Sequence, residues 1–360
     1  MAQSTQAHGA EANADSFSPL VGVGVVLLIA AIGLFYVKWL PYYQRALTAF
    51  ASHSIGPSVL TGGAQHIPQV SLQAAADYAL AYGKAIWRAM LLGLVLGSAL
   101  QELMPRAWIA RALGYPSWRT IAIGGALSIP GMMCTCCAAP VVISLRALRA
   151  SASSAVAFWL GNTLLNPATL VFLGFVLGWR WATFRLVFGL LMVVGAAYAV
   201  DRFGKSDERV AGPELAELES FNYRPTFAGW WRGFVKLAGG LIPETVVLVM
   251  ILGAVRALLF PEHGGVGFDN SLLWIVLMAL AGLLFVIPTA GEVPIVQALL
   301  TAGVGVGPAA ALLLTLPPVS LPSLVMVRRV FSLRVILVIA LATATIGIAA
   351  GIAAEVCIAP

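Results

Sequence analysis

The sequence predicts an all-α polytopic membrane protein with one extra span followed by two inverted repeats, each containing a broken or re-entrant helical hairpin. Composition is the first observation behind this fold class: 60% of the 360 residues are hydrophobic and only 10% are charged, against about 25% charged in soluble domains. The mean hydropathy is +0.92. Several apolar stretches also reach the ~17–25 residues that a helix needs to cross a bilayer, and two others are interrupted at corresponding positions.

Uninterrupted apolar stretches of membrane-spanning length are predicted at 19–40, 86–104, 154–178, 182–200, 240–260, 307–327 and 333–356. No lysine or arginine precedes residue 19, so the basic region of a secretory signal is missing. We therefore expect 19–40 to be a retained span. Residues 41–82 are predicted to form a linker, and 201–237 the main soluble loop.

Two further stretches, 119–150 and 271–303, each contain two short apolar halves separated by helix-breaking residues. The prolines predicted to fix these breaks are Pro130, Pro140, Pro288 and Pro294. Irregular backbone is tolerated at membrane depth only where protein or a cavity satisfies its polar groups. A matched pair of breaks therefore indicates a solute site near the midplane. The alternative is that the prolines merely kink packed spans.

An internal repeat with an offset of 154 residues relates the two broken stretches, because Pro140 aligns with Pro294 and Thr135 with Thr289. Each copy continues into a span that ends in a polar, proline-bearing stretch. The repeat predicts four regions: an N-terminal tail, first span and linker (1–82), a first membrane repeat (83–200), a cytoplasmic loop (201–237) and a second membrane repeat (238–360).

The distribution of basic residues predicts the orientation. The positive-inside rule favours a cytoplasmic loop at 201–237 and hairpins that open to opposite sides of the membrane. The N-terminus is then cytoplasmic and the C-terminus outside. Because the net charge of +6 comes from loop residues, it indicates membrane anchoring, and no nucleic-acid partner is expected. The expected partners are the lipid bilayer, a small inorganic or organometalloid solute and, for coupled transport, protons.

Cys134, Cys136 and Cys137 lie within four residues at the first break. Thiolates are soft ligands that suit soft metals and metalloids such as trivalent arsenic, so these three are the candidate metalloid ligands. In helical geometry Cys134 and Cys137 share a face while Cys136 points away, so at most two thiols converge without a bend. The alternative is that the cysteines are small, inert hydrophobes.

Glu292 lies between two prolines inside an apolar stretch, where an acid is costly and therefore a functional candidate. We expect it to couple transport to protons, unless it lies shallow at a water-filled hairpin mouth. Glu244 is a second coupling candidate, although a carboxylate in the first turn of a helix is favourable by itself.

Four polar residues complete the predicted substrate-binding set. Asn162 and Asn166 lie about one helical turn apart; they either line the cavity or bridge helices by hydrogen bonds. Thr135 and Thr289 are the aligned hydroxyl residues of the two breaks.

The runs Cys134-Thr-Cys-Cys-Ala-Ala-Pro140, Ser144-Leu-Arg-Ala-Leu-Arg149 and Asn166-Pro-Ala-Thr-Leu170 resemble the predicted-permease family that includes the bacterial organoarsenical efflux permeases. The resemblance covers roughly residues 85–330. It implies an inner-membrane permease and, in the characterised branch, export of trivalent arsenic with the motif cysteines as ligands. Members usually carry Cys-Ser-Cys-Gly at the motif. Here Thr135 and Cys137 replace Ser and Gly, which adds a thiol.

These features predict a secondary permease that exports a soft, thiophilic solute such as trivalent (organo)arsenic. The solute is expected to bind between the two broken hairpins, and proton movement is the expected driving force of transport. No nucleotide-binding P-loop or histidine zinc cluster occurs in the sequence, so we expect no cofactor, no catalytic residue and no enzymatic activity. Two alternatives stay open. One is a membrane thiol oxidoreductase using Cys134 and Cys137, and the other is an uncoupled channel.

Overall fold

The computed structural model describes residues 19–56, 70–204, 225–259 and 272–358. Within these ranges the regular structure is helical and contains no β-strand. Helices that are long and apolar enough to cross a membrane are Leu20–Ser52, Leu72–Leu103, Ala152–Val176, Trp179–Phe203, Phe227–Arg256 and Leu333–Cys357. The predicted fold class, an all-α polytopic membrane protein, is confirmed.

The first membrane helix extends further than predicted. Helix α1 (Pro19–Leu34) passes through a π-helical turn at Phe35–Trp39 into α2 (Leu40–Ser52), so the predicted linker at 41–82 starts with helix. Single π-helical turns are rare and frequently occur at functional sites. Lys38 lies in this turn, and only 4% of its surface is exposed.

The first half of the chain continues through α3 (Leu72–Leu103), α4 (Arg106–Leu113), α5 (Trp118–Ser128), α6 (Thr135–Ala147), α7 (Ala152–Leu164), α8 (Pro167–Val176) and α9 (Trp179–Phe203). Helix α3 starts before the predicted repeat boundary at residue 83, because the Ser71 hydroxyl caps it by accepting a hydrogen bond from the Ala74 amide. It packs against α6, which in turn packs against α7.

The second half comprises α10 (Phe227–Leu259), α11 (Leu272–Leu284), α12 (Glu292–Thr301), α13 (Val306–Thr315), α14 (Leu321–Val327) and α15 (Leu333–Cys357). Helix α9 ends after residue 201 and α10 starts before residue 237, so both predicted edges of the 201–237 loop lie inside helices. The predicted span at 307–327 is interrupted between α13 and α14.

Four helices of each half recur in the same order at one spacing, while α6 and α12, which follow the interruptions, begin 157 residues apart at 135 and 292. Helices α5, α7, α8 and α9 begin at 118, 152, 167 and 179, and α11, α13, α14 and α15 begin at 272, 306, 321 and 333, so each pair differs by 154 residues. This offset equals the one found in the sequence and supports the predicted repeat. Inversion of the two halves and membrane re-entry of the hairpins stay predictions.

The two broken stretches are interrupted between α5 and α6 and between α11 and α12. Each interruption contains one non-glycine residue with left-handed backbone, Met132 (φ 48°) in the first and Ala290 (φ 67°) in the second. Left-handed backbone cannot continue a right-handed helix, so these residues change the direction of the chain.

Of the four predicted break-forming prolines, Pro130 and Pro288 lie within the interruptions, but Pro140 lies inside α6 and Pro294 in the first turn of α12. The prediction that Pro140 and Pro294 form breaks was therefore wrong. A proline in the first turn of a helix removes no helical hydrogen bond, which explains Pro294. Pro140 lies in a buried segment packed between α3 and α7, and such packing allows a proline within a membrane helix.

Aromatic side chains donate hydrogen bonds to carbonyl groups at the interruptions, where the helical hydrogen-bond pattern stops. The donors are Trp39 to the Pro130 carbonyl (3.1 Å), Trp159 to the Thr135 carbonyl (3.1 Å) and Tyr78 to the Val286 carbonyl (2.5 Å). Since Tyr78 belongs to α3, its hydrogen bond also ties the first half of the chain to the second interruption.

Candidate functional site

Cys134 and Cys137 form a close thiol pair at the start of α6. Cys134 is the N-cap residue of this helix, and Cys137 follows one turn later, so their side chains meet on one face. The two sulfur atoms are 2.8 Å apart, and both cysteines are free and buried. The pair is therefore placed to act on one atom as a two-sulfur ligand.

Cys136 does not join this pair. Its thiol is fully buried and neighbours the hydroxyl groups of Tyr82 and Ser320 instead. In the part of the chain that the structure describes, no three His, Cys, Asp or Glu side chains are arranged to hold a metal ion. Of the three predicted ligand thiols, the structure therefore brings together those of Cys134 and Cys137, because consecutive helix positions point in different directions.

Lys38 connects the thiol pair to the second interruption. Its ammonium group donates hydrogen bonds to the hydroxyls of Tyr42 and Thr289, both at 3.3 Å. It also lies 5.2 Å from the centre of the Tyr42 ring and close enough to both thiols to interact with them electrostatically. The aligned residue Thr289 is therefore brought to the thiols, although it is far from them in sequence.

A cavity of about 380 Å³ lies in front of these groups. Its walls are the π-helical turn with the start of α2, the middle of α3, the thiol pair and the second interruption. The lining residues that carry chemistry are Lys38, Arg45, Lys84, Arg88, Cys134, Cys137 and Thr289. Lys38 is buried while the other three cations are exposed, so a positively charged entrance leads to two thiols.

Glu292 is held in an ion pair with Arg185. A guanidinium nitrogen of Arg185 lies 2.7 Å from the Glu292 carboxylate, with 0% and 2% of the two side chains exposed. Arg185 also donates a hydrogen bond to the Thr163 carbonyl at 2.9 Å. Because Arg185 belongs to α9 and Glu292 starts α12, the pair joins the two halves of the membrane domain. This burial does not favour the alternative of a water-filled hairpin mouth, and the proton-coupling role of Glu292 stays a prediction.

Asn162 and Asn166 make local hydrogen bonds to backbone. The Asn162 side chain donates to the Phe158 carbonyl at 2.9 Å. Asn166 caps α8 by accepting from the amides of Ala168 and Thr169. Neither side chain lines the cavity, so the structure supports neither a direct contact of the amides with a cavity ligand nor the predicted bridging of helices.

Glu244 and Thr135 also lie away from the cavity lining. Glu244 forms an ion pair with Arg329 at 2.6 Å, and the two side chains are 36% and 43% exposed. Thr135 is buried in the first turn of α6. Of the predicted site residues, the structure therefore brings together Cys134, Cys137 and Thr289.

Sequence reasoning missed Lys38 and Arg185. Lys38 contributes the buried positive charge of the thiol cavity, and Arg185 contributes that of the ion pair with Glu292. Each is a lone basic residue in an apolar run, Phe35–Trp39 for Lys38 and 181–193 for Arg185. Ionisable residues inside membrane spans are costly and usually face a partner or a cavity. That signal was present in the sequence for both residues.

Comparison with known proteins yields one family and two relatives. A family model described as a predicted permease matches residues 22–160 and 71–356. The UPF0718 protein YraQ of Escherichia coli (strain K12) is 46% identical over 324 residues, which cover 90% of this chain and 92% of the relative. The UPF0718 protein MJ0584 of Methanocaldococcus jannaschii is 21% identical over 313 residues, 67% of this chain and 84% of the relative. No solved structure matches.

Proposed function

The chain belongs to the predicted-permease family, and we propose that it moves a soft, thiophilic solute such as trivalent arsenic or an organoarsenical across a bacterial inner membrane. The observation that carries this proposal is the pair of free sulfur atoms, 2.8 Å apart, in the lining of a 380 Å³ cavity. Soft sulfur ligands select soft metals and metalloids. The solute would be exported, with the N-terminus of the chain in the cytoplasm and the C-terminus outside.

Binding would be a ligand exchange at arsenic. Each thiol of Cys134 and Cys137 displaces one hydroxyl group from an organoarsenous acid: an S–As bond forms, the As–O bond breaks, and the thiol proton leaves with the hydroxyl as water. Two thiols release two waters, and no atom changes its oxidation state. The exchange is reversible, as a transported ligand requires.

Proton coupling would act through Glu292. Protonation of this carboxylate removes its charge and with it the Coulomb attraction to Arg185. Because the ion pair joins α9 to α12, its loss would allow the two halves to move relative to each other. Binding and release on opposite sides of the membrane would follow from such a movement in a protein with two related halves.

Uptake by reconstituted vesicles tests the thiol site. Cys134→Ser and Cys137→Ser should each lower methylarsenite transport at least tenfold, because a single thiol cannot chelate. Cys136→Ser is the matched control, since this third buried cysteine lies outside the pair, and it should retain most of the activity. Comparison of right-side-out with inverted vesicles gives the direction. Equal activity in all three variants would rule out the thiol site.

A second candidate function, a membrane thiol oxidoreductase, is favoured by the same short distance between Cys134 and Cys137. Such an enzyme usually passes electrons to a second cysteine pair. Outside the motif, the described residues contain only Cys357, an exposed residue at the end of α15. The permease is therefore preferred.

Mass spectrometry of the intact protein distinguishes the two functions. We expect the reduced chain to bind one phenylarsine oxide, with loss of one water, and to lose this adduct in Cys134→Ser and Cys137→Ser but keep it in Cys136→Ser. Acid trapping of growing cells should recover both thiols reduced. A trapped Cys134–Cys137 disulfide that turns over with the growth conditions would instead support the oxidoreductase.

A further inference from the structure

The cavity has an excess of positive charge that two thiols and a neutral solute do not require. Four of its lining residues, Lys38, Arg45, Lys84 and Arg88, are cationic, and none of the lining residues is acidic. The buried Arg185, by contrast, lies against the Glu292 carboxylate. The cavity cations have no such partner among the described residues.

Lys38 is the most informative of the four. Its ammonium group is buried, and its hydrogen-bond acceptors are two neutral hydroxyls at 3.3 Å. No carboxylate in the described part of the chain lies within ion-pair distance of it. Burial of a cation without a counter-charge is costly. In the empty site a deprotonated thiol of Cys134 or Cys137 would offset this charge, since Lys38 is close to both. Binding of a solute by the two sulfur atoms consumes that thiolate charge, so the counter-charge in the loaded site would have to come from the solute.

The residues at the cavity entrance are positively charged, like Lys38. Lys84 and Arg88 lie four residues apart on α3, a spacing at which like charges repel each other, and Arg45 faces the same cavity from α2. All three are exposed. A cleft lined by one sign of charge raises the local concentration of oppositely charged solutes. The positive-inside rule alone would explain exposed cations near a membrane surface, but it does not explain the buried Lys38.

We propose that the natural solute is a small anion: a soft, thiophilic group bound by Cys134 and Cys137, joined to a carboxylate or another anionic group that the Lys38 ammonium binds. The exposed cations would attract this solute to the cavity. This inference rests on the proposed function of the cavity as the solute site, and it adds the charge of the solute. Uncharged arsenite would satisfy the thiols but leave Lys38 without a counter-charge.

Two matched arsenicals test the charge requirement in the purified, full-length protein. Phenylarsine oxide and its 4-carboxy derivative carry the same arsenic group and differ by one negative charge. We expect the wild-type protein to bind the carboxylate at least tenfold more tightly than the uncharged compound, because charge-assisted hydrogen bonds are about twice as strong as neutral ones. Lys38→Gln should abolish this preference, and Lys38→Arg should keep part of it.

Arg119→Gln is the matched control, because Arg119 is exposed and does not line the cavity; it should leave the preference unchanged. High salt should slow association of the carboxylate only, since the Debye length falls to about 3 Å at 1 M. Equal affinity of the wild-type protein for both compounds would overturn the anion inference and leave the thiol site intact. If Lys38→Gln weakens the binding of both compounds equally, the anion inference is also overturned. If folded protein binds neither compound, the proposed function itself fails.

Discussion

Arg185→Met should lower the free energy of unfolding by about 3–5 kcal/mol, because it leaves the Glu292 carboxylate buried without its partner. The two side chains are 0% and 2% exposed and lie 2.7 Å apart, so water cannot replace the lost guanidinium. Glu292→Met should destabilise the protein to a similar extent, because it leaves the Arg185 guanidinium buried without its partner. Unfolding by SDS in mixed micelles, followed by tryptophan fluorescence, measures both changes.

The double variant Arg185→Met/Glu292→Met separates stability from function. Replacement of both charges by apolar groups of similar size should recover most of the lost stability, as found for other buried ion pairs. Transport should stay low in the double variant if the pair couples the two halves. A double variant that folds and transports like the wild type would show that the pair serves packing alone.

Arg329→Met provides the control for burial. Arg329 and Glu244 are separated by 2.6 Å, about as close as the buried pair, but they are 43% and 36% exposed. Exposed ion pairs contribute about 0–1 kcal/mol, so this variant should unfold almost like the wild type. Equal losses at both pairs would contradict the argument that desolvation makes the Arg185–Glu292 pair critical.

Gly93→Ala should destabilise the protein by about 1–3 kcal/mol, in the range of overpacked cores, and reduce methylarsenite uptake at least tenfold. A Cβ atom at Gly93 would lie 2.1 Å from the Cys137 carbonyl oxygen. One turn later, a Cβ atom at Gly97 would lie 2.7 Å from the Pro140 carbonyl oxygen. The two glycines thus let the backbones of α3 and α6 touch, as small residues four positions apart do in membrane proteins.

The loss of uptake follows from the position of this contact. Alanine at Gly93 pushes the start of α6 away from α3, which should displace the Cys134–Cys137 pair as a unit from the cavity that α3 also lines. Gly83→Ala is the matched control on the same helix, because a Cβ atom there meets nothing within 4 Å. It should be neutral or stabilising by up to about 1 kcal/mol, the difference in helix propensity. Similar behaviour of the two alanine variants would contradict close packing of α3 on α6.

Part of the candidate site could be predicted from the sequence because it depends on neighbouring residues only. The thiols of Cys134 and Cys137 meet because positions three apart share a helix face, while Cys136 points elsewhere. The fold class follows from composition, since so apolar a chain needs a bilayer as solvent. The offset of 154 residues could be found by aligning the two broken stretches of the sequence, and four pairs of helices begin at the same offset.

Only the tertiary structure decided which distant groups meet. Lys38 reaches Thr289 across 251 positions, and Arg185 pairs with Glu292. The apolar spans could not reveal these contacts, because a helix that is hydrophobic on all sides gives no indication of which face packs inward. Apolar periodicity likewise could not reveal that the Asn162 amide nitrogen and the Asn166 amide oxygen bond to local backbone. Composition and local geometry therefore determined the class of protein and its thiol pair, while helix packing determined the charges around them.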